Sequence, residues 1–74
     1  MFCKTLKKLR KSHNMTQDEL AEMLSLSRSA ISLYETGRRE PDYSILTKLA
    51  DIFDVSVDYL LGREVKYSML RKTS

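Results

Sequence analysis

Between residues 27 and 43 the chain sets out hydrogen-bonding side chains at close intervals: Ser27, Arg28, Ser29, Ser32, Thr36, Arg38, Arg39 and Tyr43. Hydroxyls donate and accept, and a guanidinium offers a planar fork of donors that suits paired acceptors. This is the chemistry of binding. For bond-making chemistry the chain is poorly supplied. Cys3 and His13 are its only thiol and imidazole, so no disulfide can close within it and no Cys/His zinc set can assemble. There is no nucleophile–base pair, no glycine-rich phosphate loop and little volume for a pocket. The reading is of a protein that is not an enzyme and has no metal or cofactor.

The elements that position these residues are helices. Glycine and proline are confined to Gly37, Pro41 and Gly62, and no stretch alternates apolar and polar residues with β-branched enrichment, so strands are not expected. Leu6 and Leu9, with His13 as a further candidate, mark one face of a first helix over roughly residues 4–13. Thr16-Gln17-Asp18-Glu19 reads as a capping box that opens a second helix, with Leu20, Ala21, Met23 and Leu24 as its apolar face. Ser27 is the cap of a third helix whose inward positions are Ala30, Ile31 and Tyr34, and Gly37 stops it. Asp42 caps a fourth helix with Ile45, Leu46, Leu49, Ala50 and Phe53 at helical spacing. Ser56 caps a short fifth one over Val57–Leu61, closed by Gly62. The expectation is a compact, all-α, five-helix domain over residues 1–62. Residues 63–74 follow as a partly ordered C-terminal extension: a frayed helix, a linker or part of a dimer contact.

The connection between the second and third helices is the informative one. Only Ser25, Leu26 and Ser27 separate them, and so short a turn sets two helices at roughly 90–120°. Leu26 is the expected apolar pin, and small Ala30 lets the helices approach closely. Residues 28, 29, 32, 33 and 36 then share the outer face of the third helix. Arg28, Ser29, Ser32, Leu33 and Thr36 form a surface that fits a DNA major groove.

Charge is distributed unevenly. The net charge is only +3, but residues 1–15 carry Lys4, Lys7, Lys8, Arg10 and Lys11 against no acid. Residues 16–26 are acidic (Asp18, Glu19, Glu22), and so are residues 42–62. Polarisation of this kind suits a nucleic-acid binder with one working face, and also an ordinary solvated surface. No apolar run approaches the roughly 20 residues that a membrane span needs, and no secretory signal opens the chain, so a cytoplasmic protein is expected.

Thr16-Gln17-x-Glu19-Leu20-Ala21, then Ser27-x-x-x-Ile31-Ser32-x-Tyr34-Glu35-x-Gly37 and Pro41, resemble the helix-turn-helix family of phage Cro proteins and repressors, the XRE family. The segments Leu49-Ala50 and Val55-Ser56-Val57-Asp58-Tyr59-Leu60-Leu61-Gly62 extend the resemblance, which covers about residues 4–62. It implies a lambda-repressor-like fold. It also implies base reading by Arg28, Ser29, Ser32 and Leu33. The family's phosphate-contacting positions fall on Gln17, which also buttresses the recognition helix, and on Thr36, the amide of Gly37, Arg38, Arg39 and Tyr43; Ser27 joins this set. Arg10 and Glu35 match a pair that bridges helices one and three. Two departures stand out: Ser25 replaces a common glycine, and Leu33 replaces a long polar residue.

Each assignment has a plainer competitor. Arg28 is a reader of guanine O6 and N7, a phosphate contact or a solvated charge. Leu33 is either stray surface hydrophobicity or a probe for thymine methyls. Tyr34 reads as packing rather than a stacking platform, and Lys7, Lys8 and Lys11 as solvated charge. The expected function is a sequence-specific, double-stranded-DNA-binding transcriptional regulator, a repressor that acts as a homodimer on a near-palindromic operator. Val57, Leu60, Leu61, Val65 and Met69 are candidates for the dimer contact, or simply core. The alternative is a protein-interaction module, such as an antitoxin or an adaptor, using the same fold.

Overall fold

Four short polar residues decide where most of the helices begin. In the computed structural model, which describes residues 1–62, Thr16, Ser27, Asp42 and Ser56 each accept a hydrogen bond from the backbone N–H three residues on, at 3.0–3.1 Å. Each thereby satisfies one of the amides that a helix start leaves without a partner. The helices they open are α2 (Gln17–Leu24), α3 (Arg28–Glu35), α4 (Tyr43–Phe53) and α5 (Val57–Leu60). The first helix, α1 (Phe2–Ser12), has no side-chain cap. It starts two residues earlier than the sequence suggests because Met1 supplies a backbone carbonyl to Thr5 without a cap residue to mark it.

Chain reversals follow the helix ends. Asn14, Ser25 and Asp54 take left-handed backbone angles (φ 57°, 58° and 56°), as does Gly37 (φ 78°). Glycine adopts that region freely and Asn and Asp tolerate it, whereas a residue such as Ser25 is strained there. Among the described residues there is no strand.

The core is built by equal contribution. Leu6, Leu20, Ile31, Leu49 and Leu60, one from each helix, are fully buried. Around them pack Leu9, Ala21, Leu24, Tyr34, Ile45 and Phe53. Complete burial of such a side chain is worth about 1.5–3 kcal/mol. Helix α3 lies against both α1 and α2, and α5 against α4 and α1. The recognition candidate is therefore held from two sides.

Two inward assignments need correction, and one open alternative closes on the core. Met23 is 55% exposed, because on a 100° helical sweep it falls about 105° from the direction shared by Leu20, Ala21 and Leu24. His13 is exposed and ends α1, with its ring edge-on to Phe53 at 5.0 Å between centroids. Leu60 is fully buried within the chain, which removes it from the candidates for an intermolecular contact. The extension 63–74, with Val65 and Met69, lies outside the described residues.

Candidate nucleic-acid interface

The turn between α2 and α3 is tied at both ends. Ser25 and Leu26 donate their amides to Glu22 and Ala21 at 3.2 and 2.8 Å, closing α2 through the left-handed Ser25. Leu26 packs against the core, as a pin should. Ser27 then caps α3. Its oxygen is used as an acceptor, which leaves its O–H proton free to donate outward.

This geometry places the first residue of α2 beside the first residue of α3. Arg28 Nε donates to Gln17 Oε1 at 3.3 Å. Gln17 is half-buried, and its Nε2 donates to Glu35 Oε1 at 3.1 Å. Glu35 is the last residue of α3 and one half of the ion pair with Arg10. Arg10 Nε donates to Glu35 Oε2 at 2.5 Å and a terminal nitrogen donates to Oε1 at 3.1 Å, with the side chains 10% and 3% exposed. The Glu35 carboxylate holds the Arg10 guanidinium above its ordinary pKa, chiefly through this hydrogen bonding and against the effect of burial. The remaining Arg10 nitrogen donates to the Met15 carbonyl at 2.7 Å, closing the α1–α2 loop. No buried side-chain nitrogen or oxygen among the described residues lacks a partner. A buried pair with every group satisfied specifies an arrangement; removing one partner would strand the other charge.

Along α3 the solvent face grades from open to half-covered. Arg28, Ser29 and Thr36 are exposed, while Ser32 and Leu33 are half-buried. The Thr36 hydroxyl donates back to the Ser32 carbonyl at 2.9 Å, so toward solvent it offers an acceptor rather than a proton. Arg38 and Arg39 donate their backbone amides to the Leu33 carbonyl at 3.0 and 3.3 Å, and Gly37 donates to Tyr34 at 3.3 Å. The loop after α3 is thus a wound cap, from which the exposed Arg38 and Arg39 side chains extend. Tyr43, at the start of α4, is 73% exposed. Tyr34 is buried and meets Phe2 edge to face, which makes it packing.

This face is mainly basic: Arg28, Arg38 and Arg39 are exposed on it, with Glu40 the exposed acid that follows them in the loop. Among the described residues the ion pair is Arg10–Glu35, so Arg28, Arg38 and Arg39 stand without a carboxylate partner. Helix α3 also has no acid in its first turn. An arginine at that position opposes the positive end of the helix dipole. Among the described residues no cluster of His, Cys, Asp and Glu could hold a metal ion, and no helix is long and apolar enough to cross a membrane.

The family resemblance paired Arg10 with Glu35 and set Gln17 against the recognition helix. It missed the two hydrogen bonds by which Gln17 joins that ion pair to Arg28. The only available signal was the shortness of the turn, which brings two helix starts together.

A family model described as helix-turn-helix matches residues 6–60. The chain is 48% identical over 64 residues to a Bacillus subtilis protein named as the uncharacterized HTH-type transcriptional regulator YqaE, covering 86% of this chain and 55% of that one. It therefore spans about half the length of that relative. A transcriptional regulator from Listeria innocua superposes with a TM-score of 0.81 at 33% identity, covering 88% of this chain and 63% of that one. The restriction-modification controller protein C.AhdI from Aeromonas hydrophila superposes with a TM-score of 0.73 at 30% identity, covering 80% of this chain and 89% of its own.

Proposed function

From the premise that the chain belongs to the helix-turn-helix family of XRE-type regulators, we propose that it binds double-stranded DNA sequence-specifically and represses transcription as a dimer. The observation that carries this reading is the exposed α3 face. Arg28 stands at its head, Arg38 and Arg39 lie just past its end, and among the described residues none of the three is held in a salt bridge.

In this mechanism α3 enters the major groove. Arg28 donates to guanine O6 and N7, Ser29 and Ser32 reach base edges or phosphate, and Leu33 meets a thymine methyl with its uncovered part. Gln17, Ser27, Thr36, the Gly37 amide, Arg38, Arg39 and Tyr43 hold the phosphates on either side and set the register. Glu35 lies close to this surface, but its charge is compensated by Arg10, so it does not repel the DNA. One helix reads too few base pairs to locate a site in a genome. A two-fold dimer doubles the readout, with half-sites about 34 Å apart on a near-palindromic operator. Half-buried Val57 and Leu61 are the described residues available for the contact between copies. Repression follows where the operator overlaps a promoter, because a bound dimer denies that stretch of duplex to polymerase.

Selection of bound duplexes from a random pool tests the whole reading, since it reports site, symmetry and spacing together. Binding should fall steeply with salt, with a log–log slope near −5 for about six phosphate contacts. Absence of binding at low salt would overturn the proposal in favour of a protein-interaction module.

A further inference from the structure

Helix α1 buries Leu6, Leu9 and Arg10 and exposes Lys4, Lys7, Lys8, Lys11 and Ser12. At 100° per residue the four lysines fall within an arc of about 100°, centred about 155° from the mean direction of the buried three. Arg10 reaches Glu35, and Cys3 lies against Gly37. The side of α1 that meets the end of α3 is thus that of residues 3 and 10, and the lysines are centred about 100° round from it. They form a stripe turned away from the core and from α3 alike.

Nothing nearby compensates this charge. Residues 1–15 include no acid, and among the described residues none of the four lysines is held in a salt bridge. Lys4 and Lys8, and Lys7 and Lys11, stand four residues apart; Lys4 and Lys7, and Lys8 and Lys11, stand three apart. Like charges at these spacings destabilise a helix. Lys4 also opposes the positive end of the dipole in a first turn that has no acid.

A bound polyanion would relieve every one of these repulsions, and the residue types narrow which polyanion it is. The exposed residues of α1 include no apolar or aromatic side chain, so this face has nothing to insert into a lipid surface or to stack on unpaired bases. It has no arginine, asparagine or glutamine to read base edges, and lysine holds phosphate as a point charge. From Lys4 to Lys11 the stripe runs about 10.5 Å along the helix, a length over which a duplex carries about six phosphate charges. We infer that the outer face of α1 is a second, sequence-independent DNA surface, by which a molecule seated on its operator through α3 also holds the backbone of another duplex segment. This rests on the reading of α3 as the recognition helix.

A bridging assay tests the inference. The duplex selected from the random pool is immobilised and loaded with protein, and capture of a labelled duplex of unrelated sequence is measured per protein retained. Wild-type protein should capture it, with a fall of roughly a hundredfold between 50 and 200 mM salt for four phosphate contacts. Combining Lys4→Gln, Lys7→Gln, Lys8→Gln and Lys11→Gln should cut capture by about tenfold or more and change operator affinity by less than about threefold. Thermal stability should hold or rise, because the like-charge pairs are gone. Four arginines at the same positions should preserve capture. Undiminished capture by the glutamine variant would overturn the inference, since another surface then holds the second duplex. A large loss of operator affinity with no capture by wild type would overturn it too, placing the lysines on the flank of the duplex that α3 reads. Absence of capture together with DNA-free oligomers that the glutamine variant dissociates would assign the stripe to acidic residues of a second copy instead. Failure of the α3 reading looks different: no site emerges from the pool, while lysine-dependent binding to unrelated duplex persists and leaves the α1 surface standing.

Discussion

Helices α2 and α3 have the same length, eight residues, and open on the same device, a hydroxyl accepting from the third amide. Their first turns differ. In α2 the capping box is complete, with Glu19 returning to the Thr16 amide at 2.8 Å, and Asp18 and Glu19 face the positive end of the dipole. In α3 the box is missing, the first turn has no acid, and Arg28 occupies it instead. A surface charge of the wrong sign at a helix start sacrifices about 0.3–1 kcal/mol. The first turn of α2 is built for stability. Helix α3 gives up local stability at the residue that the DNA-binding reading needs most, and a departure of this kind is the mark a functional site leaves in an otherwise consistent sequence.

The contrast can be broken most violently at the shared ion pair. Glu35→Ala leaves the Arg10 guanidinium buried without its partner and should destabilise the domain by about 3–5 kcal/mol, measured by urea denaturation. An unchanged midpoint would show that the pair holds nothing together. Next comes Arg28. Its replacement by alanine should weaken binding to the selected site by about 1–3 kcal/mol, with the loss concentrated at one base pair. Thermal stability should hold or rise slightly. Arg28→Glu would sharpen the comparison, raising stability while abolishing binding; a fall in both would mean that Arg28 supports the fold. For the caps, Thr16→Ala should cost about 1 kcal/mol of stability and leave base preference intact. Ser27→Ala should cost less stability, since no box is lost, while weakening DNA affinity. The smallest effect is expected at Ser25→Gly, a stabilisation of a few tenths of a kcal/mol. Relief of the left-handed strain there is partly offset by a freer unfolded chain, and calorimetry can resolve the sign.

Much of this architecture can be read without coordinates, because the features that create it are local. Thr16, Ser27, Asp42 and Ser56 declare four helix starts by residue type alone, and Gly37 declares one end. Leu6, Leu20, Ile31 and Leu49 fall at positions that periodicity assigns to the interior. The start of α1 is missed because nothing chemical marks it. Met23 is misassigned because an apolar residue at the margin of a helical stripe carries no sign of which side it joins. The site is legible as a row of side chains but not as a network. Burial of Arg10 contradicts its hydropathy and is implied only by resemblance to the family, and the Gln17 bridge depends on how two helix starts approach in space.

The left-handed connectors have a consequence for redesign. Asn14, Ser25 and Asp54 each carry a Cβ where glycine would sit freely, Ser25 with the most strain because Asn and Asp tolerate that region, so the scaffold stands slightly short of the stability its topology allows. Altering the reading face of α3 to recognise another operator will often weaken the domain, and most substitutions do. These three positions lie at helix ends rather than on that face. They offer a reserve that could be released first, giving altered recognition helices a scaffold able to tolerate them.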